Sequence, residues 1–210
     1  MSSRTRPLRR DAQRNRDLLV AAARRLFAEQ GLGVAVRDVA DAAGVAIGTL
    51  YNNFPTREEL ISAVFADRSQ TVVEIAGHAL SMPDAWDGLV HFLERLCELQ
   101  AADRGYNEMV SRRRAPAEPT EDQQRGYQLM SRIIERAQES GQLRPDFTLA
   151  DVSFLTWGAG RTMEMTGGVR PQAWRRHLAF MFDGLRASAA HPVPEPPLRP
   201  DELANVLGAC

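Results

Sequence analysis

Apolar residues recur at helical spacing along almost the whole chain, and the alternation that marks a strand is nearly absent. Over residues 11–30, Leu18, Leu19, Ala22, Ala23, Leu26 and Phe27 draw one apolar face, which Gly31 stops. Residues 36–43 form a helix of about two turns, ended by Gly44, and residues 45–54 a second one, ended by Pro55. Thr56 and Glu59 stand at capping-box spacing and predict a long helix running toward Leu80.

The same pattern continues beyond residue 80. Pro83 and Asp84 open a helix to Ala102, with Trp86, Leu89, Val90, Leu93 and Leu96 on its apolar side. A short helix follows over residues 106–113, then a proline-interrupted break at 115–119. Residues 121–140 carry Tyr127, Met130, Ile133, Ile134 and Ala137 at helical spacing, stopped by Gly141. Thr148 and Asp151 cap a helix to about Met165, which Gly167 and Gly168 end. The last large helix starts at Pro171 and runs to Ala189, with Trp174, Leu178, Met181 and Leu185 on one stripe. From His191 onward the prolines at 192, 194, 196, 197 and 200 predict an extended tail, with room for a short helix over residues 201–207. The chain therefore reads as all-α, with nine main helices and a place for a tenth.

Composition narrows the class. At 210 residues, 44% of them hydrophobic, the chain can bury a globular core. No run of eighteen uncharged apolar residues exists, so no spanning helix and no membrane partner are expected, and the Arg-rich N-terminus lacks the apolar segment of a secretory signal. Cys97 and Cys210 show no metal or disulfide spacing, which suits a reduced, cytoplasmic protein. His78, His91 and His177 are not at ligand spacing either, so no metal and no cofactor are expected. No nucleophile–base pair, GxSxG or phosphate-binding glycine loop appears, so no catalytic residue is assigned and the chain is not expected to be an enzyme.

Charge adds a polarity. Residues 1–30 hold eight arginines against Asp11, Asp17 and Glu29, although the whole chain is close to neutral at −1. A basic end on a near-neutral protein suits a polyanionic partner. All 26 basic residues are arginine, a uniformity better matched to GC-rich codon usage than to selection at any one site.

The two short helices joined across Ala43, Gly44 and Val45 have the length and glycine-bearing turn of a helix-turn-helix. Leu50 and Phe54 lie four apart on one face of the second helix. With these turned inward, rotation at about 100° per residue aims Gly48 and Asn52 outward, flanked by Thr49 and Tyr51, with Ile47 near the N-terminal tip. That face suits a major groove: Gly48 permits close backbone approach, Tyr51 can reach a phosphate, Asn52 can pair with adenine, and Ile47 can touch a thymine methyl. Phosphate neutralisation falls to Arg37, Arg57 and a mobile arm over residues 4–16.

The segment ADAAGVAIGTLYNNFPTREEL at 40–60 resembles the signature of the TetR (tetracycline-repressor) family, and LLVAAARRLFAEQG at 18–31 resembles that family's first helix. Two departures stand out: Asn53 replaces the usual histidine, and Ala46 the usual serine or threonine cap, at a cost of about 1 kcal/mol. Val36 and Arg37 also replace a threonine-rich helix start. The resemblance implies a DNA-binding domain over 1–56, a helical effector and dimer domain over 57–190, and a tail over 191–210. It implies a homodimer on a double-stranded palindromic operator, released by a small apolar or amphipathic effector. Asn53 joins the DNA-contacting set by position.

For the effector pocket, Trp86, Phe92, Leu96, Tyr106, Met109, Tyr127, Met130 and Trp157 are candidates, each equally readable as core; Arg161 reads as a buried anion anchor or as a surface residue. The helix over 148–165 carries two apolar stripes, one with Leu155, Ala159 and Met163 and the other with Phe154, Trp157, Arg161 and Met165, and so needs two partners. The first stripe, with Trp174, Leu178, Met181 and Leu185, is the expected dimer face. Gly158 and Gly160 would let this helix lie close against the last one, opposite Ala179 and Gly184. A ligand-independent architectural DNA-binder remains the alternative.

Overall fold

The computed structural model describes residues 5–112 and 120–208. Among them it is helical throughout: α1 Thr5–Gln30, α2 Val36–Ala43, α3 Ile47–Asn53, α4 Arg57–Val64, α5 Ala66–Ser81, α6 Ala85–Ala102, α7 Arg104–Arg112, α8 Glu121–Glu139, α9 Leu149–Thr166, α10 Ala173–Leu185 and α11 Pro200–Gly208. The all-α expectation holds. The break at 115–119, Arg113, Arg114 and Cys210 lie outside the described residues.

Two expectations fail in instructive ways. The single helix predicted over 56–80 is broken at Phe65, whose backbone leaves the helical region (φ −105, ψ 13). Phe65 turns inward, 6% exposed, and its ring centroid lies 5.7 Å from that of Tyr106. A buried aromatic contact outweighs uninterrupted helix propensity, which is worth only tenths of a kcal/mol per residue. The described part of the expected mobile arm, residues 5–16, is also helical, within α1.

The chain divides into two compact units. The first comprises residues 1–67 with 103–106, so it runs past the boundary expected at 56. The reason is burial: Leu60 and Val64 of α4 are fully inside, and Arg24 of α1 donates to the Val64 carbonyl at 2.7 Å. Leu19, Ala23, Phe27, Val39, Leu50 and Phe54 complete this core. Gly105 belongs here too, because a Cβ on it would stand 2.8 Å from the Phe27 carbonyl oxygen.

The second unit comprises residues 68–102 and 107–210. Its main core joins Ile75, Trp86, Phe92, Ile134, Phe147 and Leu155 among others, and a smaller cluster holds Cys97, Ala159, Trp174 and Leu178. Gly88 lets α6 lie against α5, since a Cβ there would meet the Ala79 carbonyl oxygen at 2.6 Å. Arg136 of α8 closes the α5–α6 corner by donating to the carbonyls of Leu80, Met82 and Pro83 at 3.2, 2.6 and 2.8 Å. Thr120 caps α8 with a complete capping box through Gln123. No helix among the described residues is long and apolar enough to cross a membrane.

Candidate nucleic-acid interface and C-terminal sites

Gly44 makes the turn between α2 and α3. Its φ of +69 is left-handed, a region open to glycine at little cost. From there the amides of Gly44 and Val45 return to the carbonyls of Asp41 and Ala40, each at 3.1 Å, which ends α2 abruptly. Helix α3 then starts at Ile47, and Ala46 in the N-cap position offers no side-chain cap. Leu50 and Phe54 are each 1% exposed, which anchors the inner face of α3. Gly48, Tyr51 and Asn52 are exposed on the other side, while Ile47, Thr49 and Asn53 are half-buried. A Cβ at Gly48 would meet nothing within 4 Å, so the glycine is not required by packing inside the chain. Arg37 is exposed on α2.

Three arginines do structural work that the sequence reading gave to phosphates or left unassigned. Arg57 donates to the Leu32 carbonyl, which ties it to the loop before α2. Arg16 donates to the Asn53 carbonyl at 3.1 Å, and its guanidinium sits 4.3 Å from the Phe54 ring centroid. Arg24 caps the end of α4 through Val64 and pairs with Asp67 at 3.1 Å. A cation donating to the last carbonyls of a helix is favoured both by hydrogen bonding and by the helix dipole. Asn53 turns its amide back onto the Thr49 carbonyl at 2.8 Å, within its own helix. The sequence shows these charges but not the carbonyls they reach, which lie 25 to 40 positions away.

The residues expected to line an effector pocket scatter. Trp86 and Phe92 belong to the second unit's main core, with Leu96 and Met130 packed against it. Arg186 lies over the Trp86 ring at 3.8 Å. Tyr106 falls in the first unit. Met109 is half-buried, and Trp157 donates from its indole to the Val110 carbonyl at 3.2 Å. Tyr127 is 42% exposed. Arg161 is a surface residue paired with Glu164 at 2.9 Å, which removes it as a buried anchor.

The expected dimer face also needs correction. Leu155, Ala159, Trp174 and Leu178 are buried inside their own subunit, between 0% and 7% exposed, and cannot meet a partner. Met163 and Leu185 are half-buried against the same clusters, and Met181 alone of the set is 37% exposed. On α9 and α10, Phe154, Met165 and Phe180 join Met181 among the outward apolar residues, at 47%, 67% and 56%. Gly158 faces His177 of α10, and Gly160 faces Asn107 of α7, rather than Ala179 and Gly184.

Residues 19–64 match the model of bacterial regulatory proteins of the tetR family, and residues 84–187 match the SbtR-like transcriptional regulator C-terminal domain. The chain belongs to the tetR family. This TetR-family protein is therefore a transcriptional regulator with an N-terminal helix-turn-helix. It is 42% identical over 53 residues to the HTH-type transcriptional repressor KstR2 of Mycolicibacterium smegmatis, a segment covering 25% of this chain and 26% of that one. The match thus spans about a quarter of the curated relative. Among solved structures, it resembles the TetR regulator SCO0520 of Streptomyces coelicolor (28% identity, TM-score 0.51), covering 81% of this chain and 98% of that one. The FadR regulator of Bacillus subtilis, solved with stearoyl-CoA, shares the fold at 19% identity and TM-score 0.61, covering 83% and 99%.

Ion pairs elsewhere shape the second unit of this TetR-family regulator. The Arg175 guanidinium at 2.7 Å, helped by Arg95, holds the Glu98 carboxyl below the usual range. The Asp87 amide and the Gln142 side chain do the same for Asp84, which caps α6. Burial first, and the Glu94 and Glu98 carboxylates second, push the Cys97 thiol up to about 12.

Proposed function

We propose that this regulator binds a palindromic operator as a homodimer, represses transcription from it, and lets go when a small apolar or amphipathic molecule enters the second unit. The observation that carries the DNA half is the division of α3 into a buried face, Leu50 and Phe54, and an exposed one, Gly48, Tyr51 and Asn52. Asn52 reads adenine, Tyr51 holds a phosphate and Gly48 brings the backbone close to the groove floor. Ile47, Thr49 and Arg37 flank that contact. Arg57 and Asn53, committed to protein carbonyls, act through the shape of the motif.

The dimer is supported by the outward apolar side chains of α9 and α10. Phe154, Met165 and Phe180, at 47%, 67% and 56% exposure, are large apolar side chains on α9 and α10 that their own subunit leaves uncovered. Two copies joined there would present two α3 helices for successive major grooves, about 34–36 Å apart or a multiple of that. Effector binding would then be a population shift toward a geometry that no longer spans the half-sites. The FadR relative of the same fold is solved with stearoyl-CoA, whose acyl chain and charged head make it amphipathic, and this supports the amphipathic side of the reading.

DNA fragments selected by the purified protein should share an inverted repeat, and Asn52→Ala should relax preference at one base pair per half-site. An unchanged preference would remove the base-reading role from Asn52. The packing of Trp86 and Phe92 into the core favours the architectural reading as the rival; that rival requires an operator complex indifferent to every added apolar compound.

A further inference from the structure

His78 and His91 fall on different helices, α5 and α6, and nothing in their spacing along the chain pairs them. The fold does. Their ring centroids stand 4.9 Å apart, with 62° between the ring planes. His78 is exposed and His91 half-buried, so both rings are open to solvent. Ser81 donates to the His78 carbonyl rather than to its ring. Among the described residues, neither imidazole has a hydrogen-bond or ion-pair partner.

That separation fits a shared metal ion. An ion bound by an imidazole nitrogen at about 2.0–2.1 Å stands about 3.2 Å from the centre of the ring. Two imidazoles on one ion then have centres about 4.5 Å apart at a right angle, and about 5.2 Å apart at the tetrahedral angle. The 4.9 Å between His78 and His91 falls inside those limits. The rings meet edge to face, so their nitrogens converge once one ring turns, and the exposed His78 has room to do so. The backbones beneath them are held firmly. Gly88, one turn before His91, lies so close to α5 that a Cβ on it would stand 2.6 Å from the carbonyl oxygen of Ala79, the residue after His78. Arg136 fixes the same corner through the Leu80, Met82 and Pro83 carbonyls. Ligands already placed near binding distance lose little freedom when an ion arrives.

Charge and donor type narrow the ligand. Glu74 stands one turn before His78 and Asp87 one turn before His91, both exposed, which favours a cation. The neighbouring arginines are occupied: Arg136 by the three carbonyls, and Arg95, one turn after His91, by Glu98. Imidazole nitrogens suit zinc, nickel and copper, whereas magnesium and calcium want oxygen. Among the described residues no third His, Cys, Asp or Glu completes a cluster, so water fills the remaining positions.

We propose that His78 and His91 form an exchangeable site for one divalent ion of the zinc, nickel or copper class, which ties α5 to α6 in the second unit. The site stands independently of the operator and effector readings.

The test uses the untagged full chain in a Cys210→Ser background, stripped of metal with a chelator and given zinc, nickel or magnesium chloride. Equilibrium dialysis should find one zinc or nickel ion per chain and no magnesium. At tenfold excess over Kd, zinc or nickel should raise the melting temperature by about 3–6 °C. His78→Gln and His91→Gln should each weaken binding by about a hundredfold, because a single imidazole loses the chelate. If the half-buried His91→Gln does not fold, the exposed His78→Gln carries the comparison. His177→Gln, on α10 against Gly158, should bind as the parent does. Magnesium matching zinc, no stoichiometric binding of zinc or nickel, or His78 and His91 variants that bind as tightly as the parent would each overturn the proposal. So would one ion per two chains, which moves the ligands to a contact between copies.

Discussion

The guanidinium of Arg16 lies 4.3 Å from the centre of the Phe54 ring while donating to the Asn53 carbonyl at 3.1 Å. One side chain from α1 therefore covers the last buried aromatic of α3 and satisfies its last carbonyl. Charge placed there holds the end of α3 against α1.

Arg16→Ala should accordingly lower the stability of the protein by about 1–2 kcal/mol, read by urea denaturation. It should weaken DNA binding as well. A residue that only neutralised a phosphate would instead leave stability alone and reduce the salt slope by about one. Measuring both quantities on the same variant decides between those roles.

Gly48→Ala should separate folding from recognition. The new methyl meets nothing within 4 Å, and replacing this glycine in the first turn of α3 stabilises by up to about 1 kcal/mol. DNA affinity should nonetheless fall, by about 1–3 kcal/mol, if the bare backbone lies against the groove. A variant both more stable and equally tight would remove Gly48 from the interface.

Gly160→Ala should do the reverse of the control Gly77→Ala. At Gly160 the methyl would stand 2.4 Å from Asn107 Oδ1, and Asn107 is held by Gly160 and Gln100 with 3% exposure, so it cannot easily yield. A loss of about 1–3 kcal/mol is expected. Gly77 faces open space, and its alanine variant should be neutral or slightly stabilising. Thermal melts of the pair make the comparison.

The Cys97 thiol should resist iodoacetamide in the folded protein, in a Cys210→Ser background, and react only as fast as the chain unfolds. Its folded pKa of about 12 lies above the ordinary 9.0, so the unfolded state ionises first. The stability this thiol contributes is complete below about pH 9 and is lost as pH climbs toward 12. Cys97→Ala should remove that part of the alkaline dependence.

How much of this was legible beforehand depends on how far each residue's partner lies along the chain. The inward face of α3 follows from Leu50 and Phe54 alone, four positions apart, and the structure buries both. Gly44 marks its turn for an equally local reason. The two stripes of α9 were visible too, but periodicity does not say which one a neighbour covers. Trp174 and Leu178 settle that by packing with Ala159 inside the subunit, leaving Phe154 and Met165 in water. Phe65 breaks its helix for Tyr106, a partner no local pattern reveals. The arginine caps share this property, and their only signal was a charge.

The Arg136 clamp has a consequence for the order in which the protein is built. The corner it closes, at Leu80, Met82 and Pro83, lies 53 to 56 residues upstream of it. A chain leaving the ribosome exposes those carbonyls to water throughout the synthesis of α6 and α7, and the corner sets only after α8 has emerged. The caps from Arg16, Arg24 and Arg57, by contrast, find their carbonyls within the first 64 residues. Helices α1 to α4 can therefore settle against one another early, while the second unit waits for its distant parts.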